Sequence, residues 1–127
     1  MNDLNLAATT STPHVRTDWD AGVLHLSGDS YPENAFELYQ PVFDWVKAYL
    51  AASDRPLHLD FALVYLNTSS VRMMMDILDT VEDAFLHGRD VSLIWRYAAD
   101  NERVAELAEE FHEDCSFPFT IRANELS

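Results

Sequence analysis

Apolar and polar positions fall into blocks along the chain, and the period within each block predicts an element. His14–Thr17 and Val23–Leu26 are short extended runs flanking Asp18-Trp19-Asp20-Ala21-Gly22, which predicts a β-hairpin. Gly28–Pro32 reads as a loop. From Glu33 to Leu50 the period becomes helical, with Phe36, Tyr39, Val42, Phe43, Val46, Tyr49 and Leu50 recurring every three or four residues. Pro41 lies inside that run and predicts a kink or a fresh helix start, because proline has no N–H to donate and crowds the preceding turn.

Ser53–Pro56 breaks the helix, and Leu57–Leu66 (LHLDFALVYL) reads as a strand. Leu57, Leu59, Phe61 and Leu63 line one face, while Ala62, Val64 and Leu66 make the other apolar too. That pattern predicts a central strand covered on both faces. Asn67-Thr68-Ser69-Ser70 is a dense cluster of helix-capping residues. The following helix has an inner stripe of Val71, Met74, Met75, Leu78, Val81 and Phe85, and His87-Gly88 ends it with glycine in the C′ position. Val91–Trp95 is a further strand. Asp100 is the expected cap of a third helix with inner positions Val104, Leu107, Ala108 and Phe111, and Phe117–Ile121 is a last strand that Pro118 consigns to an edge. The order ββαβαβαβ predicts an α/β fold: a hairpin, then βαβ units on a mostly parallel sheet of four to five strands with three main helices. Residues 1–12 read as a loose polar tail, and residues 13–123 as one domain.

Composition narrows the function. The chain has 127 residues, 48% of them hydrophobic, which suits one globular domain and argues against disorder. Eight Lys and Arg against 22 Asp and Glu give a formal net charge of −14, so neither nucleic acid nor an anionic membrane surface is an expected partner. The single cysteine, Cys115, allows no internal disulfide and no thiolate zinc cage. The first residues have neither a basic nor an apolar signal-peptide region, and no apolar run is long enough to span a bilayer; these features predict a cytoplasmic protein.

Catalytic constellations are scarce. The five histidines (His14, His25, His58, His87, His112) are dispersed. His112 and Cys115 stand three apart at a helix end, a spacing that could hold a metal or serve a small enzyme, but a surface histidine beside a small packed thiol is the preferred reading. No glycine-rich loop cradles phosphate, so neither a cofactor nor a metal is expected and catalysis is not the reading preferred. The seven acids of the third helix region (Asp100, Glu102, Glu106, Glu109, Glu110, Glu113, Asp114) make a solubilising face or steer a basic partner. Asn67–Ser70 is the most informative segment. Capping needs one such side chain, so hydroxyls are left over where a strand hands over to a helix, the place at which open α/β sheets bind. Met73, beside that cluster, should project sideways or outward as an adaptable contact, and Asp29 and Tyr31 sit in a loop that could border the same edge.

The element order, with hydroxyls opening the helix after the central strand, resembles the STAS-like anti-anti-sigma regulators. Three blocks are more specific: Gly28–Asn34 (GDSYPEN), Tyr65–Ser70 (YLNTSS), and Glu102–Phe111 (ERVAELAEEF) with Asp114–Phe119 (DCSFPF). Together they resemble the SiaC family of biofilm-regulating phosphoproteins, from about Ser11 to Arg122. The resemblance implies a phosphorylation-switched adaptor rather than an enzyme. In that family a dedicated kinase modifies the threonine of the Leu-Asn-Thr-Ser-Ser block, here Thr68, and a PP2C-type phosphatase reverses it. The unphosphorylated form binds and activates a diguanylate cyclase, raising cyclic di-GMP and promoting biofilm or aggregation. Asn67, Ser69, Ser70, Met73, Asp29 and Tyr31 are the expected partner-binding residues around Thr68. Many anti-anti-sigma proteins carry Asp-Ser at the switch where this chain has Asn67-Thr68. An anti-anti-sigma factor that titrates an anti-sigma kinase is the alternative reading.

Overall fold

The computed structural model describes residues 3–124. The elements are β1 (Asn5–Leu6), β2 (His14–Asp18), β3 (Val23–Ser30), α1 (Ala35–Ala52), β4 (Leu57–Leu66), α2 (Thr68–Leu86), β5 (Val91–Ala98), α3 (Glu102–Glu113) and β6 (Phe119–Asn124). The sheet has six strands in chain order; β1, β2 and β3 pair antiparallel, and β3 to β6 are parallel. Crossovers of a common hand that each step one strand further in the same direction put their helices on one face. Burial follows that rule. Val15, Leu26, Phe61 and Trp95 are register neighbours from β2 to β5, and all four are buried. Trp95 stands edge-on to Phe61 and stacks on Phe111 of α3, with ring centroids 5.7 and 5.6 Å apart.

The other face of the sheet is bare, which corrects the expectation of a doubly covered β4. His58, Asp60 and Ala62 are only partly buried there, and Val64 is 49% exposed. Strict alternation puts Leu66 on that same face, yet it is buried. The pairing explains why: Gly28 opposes Leu63 and Asp29 opposes Tyr65, so Val64 is an extra, bulged residue and the alternation resets after it.

The N-terminal segment is not a loose tail over the described residues. β1 is a sixth strand beyond those expected, and the Asp3 carboxylate accepts from Thr17 Oγ1, Trp19 N and Trp45 Nε1 at 3.0, 2.9 and 3.1 Å. One acceptor meeting three donors anchors a stretch whose composition is polar. Met1 and Asn2 lie outside the described residues. Helix α1 runs unbroken through Pro41. The carbonyl that Pro41 cannot serve belongs to Glu37, an exposed position within reach of solvent. Its buried face includes Trp45, whereas Phe36 is 61% exposed. In α2, Ile77 is buried and Met75 is 44% exposed, the reverse of the expected stripe for that pair. Asn101 caps α3 in place of Asp100, its side chain accepting from Val104 N. Gly88 takes the C′ position with φ +94.

Candidate functional site

At the carboxyl ends of β3 and β4, short polar residues converge for definite reasons. Asn67 caps α2: its Oδ1 accepts from Ser70 N at 2.9 Å, and its Nδ2 donates to Pro32 O at 3.2 Å. Its backbone N–H donates to Ser30 O at 2.9 Å. These three bonds join the loop after β3 to the start of α2. Thr68 and Ser69 are therefore the first two helical residues, and both are exposed.

Ser70 is not on that surface. It is fully buried, and its hydroxyl lies 2.8 Å from Ser30 Oγ, which lies 2.7 Å from Tyr39 OH of α1. Burial of the phenol raises the Tyr39 pKa, although both serine hydroxyls pull it down. This neutral network ties β3, α1 and α2 together beneath the exposed hydroxyls. Ser70 belongs to the scaffold because the third helical position turns inward toward Ser30.

Thr68 and Ser69 stand at one end of a groove of about 780 Å³ between the start of α1 and the first turns of α2. Ala35, Phe36, Val71, Met73 and Met75 give it an apolar lining, and Glu33, Asp76 and Asp79 an acidic rim with Arg72 among them. Met73 is half-buried and lines the groove. Asp29 and Tyr31 do not line it. Asp29 is paired with Tyr65 in the sheet, and Tyr31 sits edge-on to Tyr65 at 6.0 Å, beside the site. Phe36 and Met75 were missed as surface residues because helical spacing places them in apolar stripes. A second hollow of about 590 Å³ on the far side of α1 shares Phe36 but contains no hydroxyl side chain.

His112 and Cys115 each turn to other partners. His112 stacks on Phe119 and lies 3.6 Å from Glu109, while the Cys115 thiol donates to Phe111 O at 3.3 Å. Burial, with the carboxylates of Glu82, Asp114 and Asp79 adding to it, pushes that thiol up to about 12, so it is not a thiolate at neutral pH. No group of three or more His, Cys, Asp or Glu among the described residues is arranged to hold a metal ion, and no helix among them is long and apolar enough to cross a membrane.

The family model for the SiaC family regulatory phosphoprotein matches residues 6–124. The chain belongs to the SiaC family. Two solved structures from Pseudomonas aeruginosa extend that membership to three dimensions. The crystal structure of apo-SiaC superposes with a TM-score of 0.92 at 58% identity, covering 97% of this chain and 100% of the other. In the crystal structure of the diguanylate cyclase SiaD in complex with its activator SiaC, the matching chain gives a TM-score of 0.94 at 60% identity, with 96% and 100% covered. A Pseudomonas aeruginosa protein described as uncharacterized is 59% identical over 125 residues, covering 98% of this chain and 99% of its own. SiaC-family membership makes this chain a regulatory protein, and no catalytic family is indicated.

Proposed function

We propose that this chain is a phosphorylation-switched activator of a diguanylate cyclase, and that the groove between α1 and α2 receives a segment of the cyclase. The observation that carries the reading is the exposed Thr68 at the mouth of a groove lined by the exposed Phe36 and Met75, in a chain 60% identical to a SiaC crystallised as the activator of a cyclase. The protein acts by binding, catalyses nothing itself, works in the cytoplasm, and is reset by a kinase and a PP2C-type phosphatase acting on Thr68. No observation favours an anti-sigma kinase as partner.

The physics suits a switch. A phosphate adds about −1.5 to −2 charges. At the first turn of a helix that charge gains about 0.3–1 kcal/mol, so the fold tolerates it. In an interface whose rim holds Glu33, Asp76 and Asp79 against the single cation Arg72, a trapped dianion loses hydration for at most one counter-charge. A hundredfold loss of affinity needs only about 2.8 kcal/mol. Calorimetric titration of the cyclase with unmodified chain, Thr68→Ala and Thr68-phosphorylated chain tests this. The unmodified and alanine forms should bind alike and the phosphorylated form about a hundredfold more weakly. Equal binding by all three would remove the switch from Thr68.

A further inference from the structure

Among the residues that line the groove between α1 and α2, Arg72 is the one cation and Glu33, Asp76 and Asp79 are the carboxylates. Arg72 is exposed and makes no ion pair or side-chain hydrogen bond among the described residues. Other arginines of the chain are committed: Arg55 donates to Asp20 O at 2.7 Å, Arg89 to Leu50 O at 2.8 Å, and Arg96 meets Asp60 at 3.4 Å. Asp76 stands one helical turn after Arg72, yet the two are not paired. That order, base before acid, is the weaker one for residues four apart on a helix.

Thr68 is the residue one turn before Arg72, and it too lines the groove. Side chains four apart on a helix are neighbours, with about 5–6 Å between their Cβ atoms. Helical side chains lean toward the N-terminus, so a long one lies over the turn that precedes its own Cα. Helix geometry therefore favours Thr68 over Asp76 as the position that Arg72 meets. A phosphate on Thr68 puts the acid before the base, the favoured order, and offers the guanidinium two oxygens at once. Its competitors for Arg72 are the single carboxylates of Glu33, Asp76 and Asp79, and a phosphate of about −1.5 to −2 charges outweighs each of them.

We propose that Arg72 is the internal partner of a phosphate on Thr68. Modification draws the guanidinium back over the first turn of α2, so the groove loses its free cation in the same step that it gains a dianion. Glu33, Asp76 and Asp79 are then left without an opposing charge, and an incoming segment meets an acidic mouth. Arg72 is thus a positioning residue that holds the phosphate against the helix. The pair rests on Thr68 as the modified residue and is independent of which partner the groove receives.

The test uses the full chain with phosphothreonine built in at position 68 during translation, so neither kinase nor cyclase enters the measurement. An adjacent cation favours the dianion and lowers the second pKa of the phosphate, ordinarily about 6. Followed by phosphorus NMR, that pKa should rise by about 0.3 or more in Arg72→Gln and return most of the way in Arg72→Lys, which keeps the charge. Arg103→Gln makes the same change in net charge at an exposed position of α3 and should leave the phosphate pKa where it is. In nitrogen-15 spectra, phosphorylation should move the Arg72 Nε–H signal. An unchanged pKa in Arg72→Gln, an equal rise in Arg103→Gln, or an Arg72 signal that does not respond would overturn the pair. All of these readings come from the isolated chain, so a Thr68 phosphate that left cyclase binding intact would be a separate result, read by the calorimetric titration above.

Discussion

At the scale of single residues, the site separates two kinds of hydroxyl that look alike in sequence. Ser30, Tyr39 and Ser70 are buried donors and acceptors in one small network, and Thr68 and Ser69 are exposed. Ser30 is the hub, so its loss strands two buried hydroxyls. Ser30→Ala should cost about 1–3 kcal/mol in urea unfolding, whereas Tyr39→Phe, which leaves the Ser30–Ser70 bond intact, should cost about 1 kcal/mol. Equal costs would show that Ser30 does not occupy the centre. Phe36 gives the opposite pattern. At 61% exposure it contributes little to the fold, and Phe36→Ala should leave stability within about 0.5 kcal/mol while costing about 2 kcal/mol or more of cyclase affinity as an anchor in the groove. Sequence singled out Asn67–Ser70 and Met73 as candidate site residues, because cap chemistry and adaptable methionine are local signals. It could not separate Ser70 from Ser69, since that depends on Ser30, 40 positions away. Nor could it expose Phe36 or Met75, since an apolar stripe facing a groove has the same spacing as one facing a core.

Element by element, local signals and tertiary context divide the fold between them. The helices, the parallel strands, the Asn67 cap of α2 and the Gly88 stop are legible because each rests on periodicity or on a residue with one structural use. Three features are not. β1 depends on Asp3 reaching Thr17, Trp19 and Trp45, α1 continues through Pro41 because Glu37 is exposed, and the bare side of β4 follows from strand order, which no single strand encodes. Two element-scale predictions follow from the turns that hold this frame. Asn67 bonds Ser70 N, Pro32 O and Ser30 O at once, so Asn67→Ala should cost about 1–2 kcal/mol and Asn67→Ser should recover part of it, read by thermal unfolding. Gly22 has φ +69, and a Cβ there would collide with Pro56 O and the Tyr49 hydroxyl. Gly22→Ala should therefore destabilise by more than the roughly 1 kcal/mol that a left-handed backbone alone costs. A stable Gly22→Ala protein would mean that the β2–β3 turn relaxes away from α1.

At the scale of the whole molecule, the bare sheet face of a chain of net charge −14 sets Arg16 and His58 around His25, and this gives the fold a pH dependence centred on that histidine. Burial lowers the His25 pKa from 6.5; Arg16 and His58 lower it further, while Asp60 and Asp18 oppose them. The folded state thus disfavours the protonated ring. Between the lowered folded value and 6.5 the unfolded chain binds more protons, so stability rises with pH through that window. The contribution is fully present above 6.5 and is lost as pH falls through the folded value. His25→Gln keeps a polar side chain without the titration. Urea unfolding of both proteins between about pH 5 and 8 should give a shallower acid-side loss for the variant, with the two curves closest in shape above 6.5. Parallel curves throughout would assign the acid sensitivity to the carboxylates of the remaining surface.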